Sequence, residues 1–357
     1  MKTLAFAAAA AVAIAALRSE PLPAAEPAPP EVLRGLGFLT ERQGRDGGFG
    51  LNDGQDPDVA NTAIAGLAFV QSGHTPASGD HRAAVKKALE FVLRAVEAAP
   101  DEGPRVTDRT GTQPQNKVGP LVDTFLAGMF LGEVDGRTGD PALDARVRAA
   151  LEKCVRKTER SQEPDGSWNA GGWAPVLGTA FAQQCLTIAE SRGVQVDRER
   201  LDKAKEYATR VQQEGAQSRP EGAGVELYSN NASIGILGAA VGGGEASAAQ
   251  KDAFAAGAKR LGDESMLRGF GSNGGEEYVS FMMASTSLAQ ADGQAYVQWD
   301  RNIRGKLAEL QNADGSWAGH HCITGRVFCT SSAILTLTAE RKADAPTVAK
   351  SSGGDAK

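Results

Sequence analysis

Four cysteines and four histidines are spread thinly over 357 residues. A disulfide scaffold needs a shorter and denser pattern, so none is expected. Lysine and arginine number 38 against 44 acidic residues, a net charge of −6. Without a basic excess, nucleic acid is not expected as a partner. Beyond the first 17 residues no apolar run reaches spanning length, so no transmembrane segment is expected in the mature chain. Convincing alternation at period two is also missing, and sheet is not needed to explain the pattern.

What is present begins at the N-terminus. Lys2 precedes Leu4-Ala5-Phe6 and an alanine-rich apolar run to Leu17. A positive start and a short apolar segment predict a secretory signal peptide, and hence an exported protein, periplasmic or secreted. Residues 1–25 are read as signal and lead-in, 26–340 as one domain, and 341–357 as a small, polar, disordered tail. Export would allow Cys154, Cys185, Cys322 and Cys329 to pair, but buried free thiols explain them equally well.

Repetition organises the rest. Gln43-Gly44-Arg45-Asp46-Gly47-Gly48-Phe49 recurs as Gln162…Asp165-Gly166-Ser167-Trp168 and as Gln311…Asp314-Gly315-Ser316-Trp317. The gaps hold two and three intervals of roughly 50–60 residues, a period that suits stacked or ring-forming helical hairpins. A degenerate copy stands at Arg268-Gly269-Phe270-Gly271.

Each turn joins two helical stretches of different character. First members are predicted over Glu31–Gln43, His81–Ala98, Pro141–Ser161, Val196–Gln213, Ser247–Leu261 and Ala295–Gln311. They are charged on one side and apolar on the other, the pattern of half-exposed helices. Second members are predicted over Val59–Ser72, Leu121–Glu133, Pro175–Arg192, Asn230–Ala240, Glu277–Ala291 and Thr330–Glu340. These are nearly uncharged and rich in small residues, so they should be buried and closely packed. Six such hairpins predict two concentric rings, an all-α (α/α)6 toroid. The long stretches Pro100–Pro120 and Glu214–Gly224 are read as functional or mobile loops.

The first repeat carries a family signature. Arg34-Gly35, Phe38-Leu39, Gln43, Gly47 and Phe49 stand at the spacing of the glutamine–tryptophan repeat of squalene and oxidosqualene cyclases. From about Glu31 to Glu340 the chain resembles the prenyltransferase/squalene-cyclase repeat family, and the resemblance implies an (α/α)6 toroid. In the turns, Gly supplies the tight corner, Gln bonds open backbone groups and the aromatic covers the neighbouring hairpin.

The family chemistries meet altered residues. Class II cyclases protonate an alkene with the middle acid of Asp-x-Asp-Asp-Thr-Ala. The matching stretch is Asp58-Val59-Ala60-Asn61-Thr62-Ala63, with Ala60 at the acid position. The aromatic content of 6% is low for a pocket that stabilises carbocations. Where protein prenyltransferase β-subunits bind zinc, the matching residues are Glu276, Tyr278 and Cys329, none of which keeps the family ligand. Gly274-Gly275-Glu276-Glu277 lacks the thiol and amide of a complement-type thioester.

Candidate site residues gather where the inner helices begin, at an expected mouth of the central cavity. Asp58, Asn61, Asp123, Asn230, Glu277, Tyr278 and Arg326 are candidate ligand contacts there, with Trp173 as a lid. Arg326 is read as a cation for an anionic ligand. Capping accounts for Asp58, Asn61 and Asp123 without function. His320, His321, Cys322 and Cys329, with Glu276, are candidates for catalysis. They admit a metal-ligand reading, a thiolate–imidazole reading and a structural reading with a Cys322–Cys329 disulfide. The expectation is a monomer, without metal or other cofactor, that binds an apolar lipid-like molecule or a peptide in its cavity and lacks class II cyclase activity. The alternative is a divergent isoprenoid cyclase or transferase, or a Cys/His-dependent enzyme.

Overall fold

The computed structural model describes residues 28–52, 54–168, 174–214, 223–262, 274–291 and 293–339, without the side chains of 223–227. The expected signal peptide, the Trp173 lid, the degenerate turn at Arg268, the tail and most of the Glu214–Gly224 loop lie outside them. Among the described residues there are thirteen helices and no strand.

Six amphipathic outer helices alternate with six buried inner ones. The outer helices are α1 (Pro30–Arg42), α3 (Arg82–Ala98), α6 (Pro141–Arg160), α8 (Arg198–Glu214), α10 (Ala248–Leu261) and α12 (Gly293–Leu310). The inner helices are α2 (Val59–Gln71), α5 (Val122–Val134), α7 (Pro175–Ser191), α9 (Ala223–Gly242), α11 (Gly275–Ala291) and α13 (Arg326–Leu337). A short helix, α4 (Gln113–Lys117), interrupts the second hairpin. Each inner helix packs on the next, and α13 packs on α2, so the ring closes.

Local chemistry sets these boundaries. Asp140 caps α6 by accepting from Ala142 and Leu143 N–H, and Ser247 forms a capping box with Gln250 on α10. α6 buries Leu143, Val147, Ala150, Leu151 and Cys154 on one stripe, whereas all 13 residues of α5 are buried. Glycine lets the inner helices touch. A Cβ on Gly66 would lie 2.5 Å from the Phe130 ring, and one on Gly235 would lie 3.1 Å from Met283 Cβ.

The three full turns share one pattern of bonds from the glutamine Nε2. Gln43 Nε2 donates to Gly47 O (3.0 Å) and to Ala84 O of α3 (2.9 Å). Gln162 does the same to Gly166 O and Arg200 O of α8 (3.1 and 2.8 Å). Gln311 does so to Gly315 O and Glu31 O of α1 (both 2.9 Å). Each glutamine therefore ties its own turn to the start of an outer helix in another hairpin. Gly47, Gly166 and Gly315 have φ of 90°, 91° and 85°, with the carbonyls of Lys87, Lys203 and Arg34 where a Cβ would stand.

Two inner helices begin a turn or more earlier than their sequence suggests. α9 starts at Ala223 rather than Asn230, and α13 at Arg326 rather than Thr330. In α13 the extra turn buries Val327 and Phe328. The Pro100–Pro120 stretch is also tied down. Buried Lys157 donates to Pro100 O (2.6 Å) and Gly103 O (2.9 Å), and Thr124 Oγ1 donates to Pro104 O (2.9 Å).

Candidate functional site

The starts of the inner helices do collect the polar residues, but as a bonded plate. Asp58 caps α2: its Oδ1 accepts from Asn61 N–H (2.8 Å) and its Oδ2 from Asn61 Nδ2 (2.7 Å). Asp123 reaches across from α5. Its Oδ1 accepts from Ala60 N–H at 3.0 Å, and its Oδ2 from Gln115 Nε2 at 2.6 Å. Burial raises the Asp58 pKa, against its hydrogen bonds to Asn61 and the nearby Arg109. Burial first, and Asp58 second, push Asp123 up to about 6.

The second half of the plate joins α11 to the loop before α13. Gly275 N–H donates to Ile323 O (2.7 Å), and Glu276 Oε2 accepts from Ile323 N–H (3.4 Å). Glu276 Oε1 is buried without a hydrogen-bond partner, and burial raises this carboxyl's pKa. Tyr278 Oη donates to Ala318 O (3.3 Å). On the far side, Gln212 of α8 donates to Asn230 O (3.1 Å), while Asn230 Nδ2 donates to Gly257 O of α10 (3.3 Å). Asn231 Nδ2 donates to Ser280 Oγ (3.2 Å). Asp58, Asn61, Asp123, Asn230, Glu276, Glu277 and Tyr278 are all buried.

α4 bolts the two halves together. Gln115 holds Asp123, Gln113 Oε1 accepts from Thr324 N–H (3.0 Å), and Lys117 lies against Cys322 and Glu276. Arg109 adds bonds to the carbonyls of Asp56 and Pro57 (3.0 and 2.9 Å). The sequence reading passed over these four residues. Thr112-Gln113-Pro114-Gln115 is a capping box with proline at a helix start, a signal that would have exposed α4.

The His/Cys stretch divides. His320 and His321 are exposed, with ring centroids 5.9 Å apart. Cys322 is half-buried at a φ of 62°, and Lys117 and Glu276 are its hydrogen-bonding neighbours. Burial, then Glu276, raise the Cys322 pKa. Cys329 is fully buried inside α13, and burial pushes its thiol far up. Both are free thiols, as are Cys154 and Cys185, so the Cys322–Cys329 disulfide is not formed. Among the described residues, no group of three His, Cys, Asp or Glu side chains could hold a metal ion.

Arg326 is not a cation at a mouth. Its guanidinium is ion-paired with Asp314 and lies 4.9 Å from the Phe38 ring centroid, so it locks the third turn to α1. The charge is spent within the repeat.

The central hollow lies at the opposite end of the ring. It is lined by Leu67 and Gln71 of α2, Met129 of α5, Gln183, Gln184, Thr187 and Ile188 of α7, and Gly235 and Ala239 of α9. Met282, Thr286, Ser287 and Gln290 of α11 and Leu335 of α13 complete it. All six inner helices contribute, mostly from their C-terminal halves. On α2, Leu67 stands about 9 Å along the axis from Asn61, at 1.5 Å per residue. The cavity volume is about 60 Å³, enough for roughly four waters. Apolar side chains line it together with glutamine amides and serine and threonine hydroxyls, and no described lining residue is titratable.

This architecture is shared with solved structures. The type II terpene cyclase MstE from Scytonema, as a variant in complex with geranylgeranyl dihydroxybenzoate, matches with a TM-score of 0.55 at 14% identity, over 88% of this chain and 97% of that one. Another variant of that cyclase, in complex with the product merosterolic acid A, gives 0.53 at 14% over 88% and 96%. A protein from Actinoplanes gives 0.50 at 16% over 88% and 98%. No protein-family model and no curated protein sequence matches the chain. The chain thus has the α/α-toroid fold of a terpene cyclase. No helix among the described residues is long and apolar enough to cross a membrane.

Proposed function

We propose that this chain is an exported binding toroid that takes a slender apolar ligand with a hydrogen-bonding end, and that it is not a class II cyclase. The observation that carries the reading is the lining of the hollow, apolar side chains mixed with glutamine, threonine and serine and no acid, base or thiol among the described residues. Such a lining can hold and orient a ligand, and it offers no positioned acid or base for proton transfer. Ala60, at the family's acid position, supports the second half of the proposal. The N-terminal run from Lys2 to Leu17 supports export.

Native mass spectrometry of gently purified protein should detect an apolar molecule, and Ala239→Trp, which fills the hollow, should remove it while the circular dichroism stays helical. A ligand retained in Ala239→Trp would place binding elsewhere. N-terminal sequencing of the protein from cell fractions tests export.

A second reading, a divergent isoprenoid cyclase, is favoured by Asp123 alone. Its carboxyl reaches the Ala60 backbone and holds its proton above the usual carboxylate range. Incubation with geranylgeranyl substrates separates the two. Cyclised product that disappears in Asp123→Asn would establish the second reading and end the first.

A further inference from the structure

We infer that Cys322, Glu276 and Lys117 form a second site, at the plate end of the ring, which hydrolyses small uncharged esters and amides through a thioester on Cys322. The site lies apart from the hollow and does not depend on the binding reading above.

Three elements converge there. Cys322 stands in the loop before α13, Glu276 in the first turn of α11, and Lys117 at the end of α4. The backbone beneath them is tightly held. Gly274 bridges to His321, and Gly275 N–H donates to Ile323 O (2.7 Å). A Cβ on Gly274 would lie 2.1 Å from Glu276 Oε2 and 2.9 Å from Cys322 Cβ, so the carboxyl and the thiol flank one glycine. Gln113 and Gln115 fix α4 to both halves of the plate, and this sets Lys117 against the sulfur. Cys322, at a φ of 62°, has the one positive value among the described non-glycine residues. Such a conformation costs energy and persists only where its surroundings impose it.

The hydrogen bonds leave one carboxylate oxygen spare. Asp58 and Asp123 use both of theirs. Glu276 uses Oε2 for Ile323 N–H, whereas its Oε1 is buried without a partner in a side chain that adjoins the thiol. An unpaired buried oxygen is costly to keep, and a general base needs that lone pair. Burial also raises the pKa of this carboxyl, which makes it a better proton acceptor. Burial, then Glu276, keep Cys322 protonated at rest, so its proton has to leave as the new bond forms. Lys117 supplies an ammonium beside the sulfur, where charge develops on a substrate oxygen. Cys322 and Lys117 are half-buried and open to a small molecule, while Glu276 is 1% exposed.

The reaction has two halves. Glu276 takes the proton of Cys322 Sγ, the sulfur attacks the carbonyl carbon, and Lys117 holds the oxyanion. The bond from that carbon to the leaving oxygen or nitrogen breaks, and Glu276 passes the proton to the leaving atom. Water then gives a proton to Glu276 and attacks the thioester. The carbon–sulfur bond breaks and the proton returns to the sulfur. One ester or amide and one water give one acid and one alcohol or amine.

The full-length protein with p-nitrophenyl acetate and with acetamide tests this. Nitrophenol should appear in a burst followed by steady turnover, and intact mass of quenched protein should show one acetyl group that maps to Cys322. Ammonia released from acetamide would assign amides to the site, and nitrophenol alone would assign esters; either supports it. Glu276→Gln keeps an acceptor for Ile323 N–H and the wild-type shape, and should slow acetylation by about 100-fold or more. Lys117→Met should slow it by about 100-fold, with partial recovery in Lys117→Arg. Lys117 is half-buried, so its variants serve if the buried one does not fold, as circular dichroism will show. Acetylation of Cys322 at the wild-type rate in the folded Glu276 and Lys117 variants would reveal an ordinary accessible thiol and overturn the inference. Turnover that survives in Cys322→Ala, an acetyl group that stays on Cys322 without turnover, or no acetylation at all would overturn it too.

Discussion

Gln311 donates from Nε2 to the carbonyl of Glu31, 280 residues earlier, and so fastens the last hairpin to the first. The same side chain also bonds Gly315 O within its own turn. Gln311→Ala removes both bonds and leaves two carbonyls short of a donor, a loss of about 1–3 kcal/mol. Urea unfolding followed by circular dichroism should show it. Gln43→Ala and Gln162→Ala should lose no more than this, since their Nε2 makes the same two bonds while Gln311 Oε1 also accepts from Arg34. Unchanged stability in all three would mean that water replaces the clasp.

Asp123 gives a pH signature. Its pKa is about 6 in the folded chain against 3.8 for the free group, because burial and the neighbouring Asp58 disfavour its charge. The folded state therefore holds the extra proton between those values. Its stabilising contribution is full below pH 3.8 and is lost as pH rises through about 6. Asp123→Asn keeps the acceptor for Ala60 N–H and has no charge to bury. The variant should gain on the wild type by up to about 3 kcal/mol between pH 4 and pH 7. A stability difference that stays flat across that window would show that Asp123 titrates normally.

The cysteines should separate by accessibility. Cys154, Cys185 and Cys329 are buried and Cys322 is half-buried. Burial also pushes Cys185 up to about 12, far from the thiolate form. Iodoacetamide should add one group to the native protein and four in denaturant, read by intact mass. Native labelling should vanish in Cys322→Ser.

Inner-helix contact is tested at Gly66. A methyl there meets the Phe130 ring at 2.5 Å, with the helix backbones already close. Gly66→Ala should destabilise by about 1–3 kcal/mol despite the better helix propensity of alanine. A stabilised variant would show that α2 and α5 can move apart.

The ring was legible in the sequence because its two layers differ in charge. Leu201-Asp202-Lys203-Ala204-Lys205 belongs to a surface, and Thr62-Ala63-Ile64-Ala65-Gly66 to an interior. The clasps were legible because the turn demands glycine at positive φ and glutamine at a fixed distance. Other parts were hidden by how side chains reach across space. Thr62, Thr179 and Thr330 accept from the N–H of Phe49, Trp168 and Trp317 at 2.9, 3.1 and 2.9 Å, a regularity visible only once the turns are aligned. The position of Arg326 suggested a ligand contact, whereas Asp314 twelve residues earlier claims its charge. The end of the ring that carries the hollow could not be read at all. Polar residues mark the starts of inner helices for capping, and the same polarity resembles a mouth.

Closure of α13 onto α2 also fixes how the chain can change its length. An open stack of helical hairpins can gain or lose a unit at either end and still fold. A ring cannot, because a seventh hairpin would have no gap to enter and a five-membered chain would leave two apolar edges facing water. Hairpin number is thus quantised by geometry, and tolerated insertions belong in the connecting loops, as the stretch containing α4 already shows.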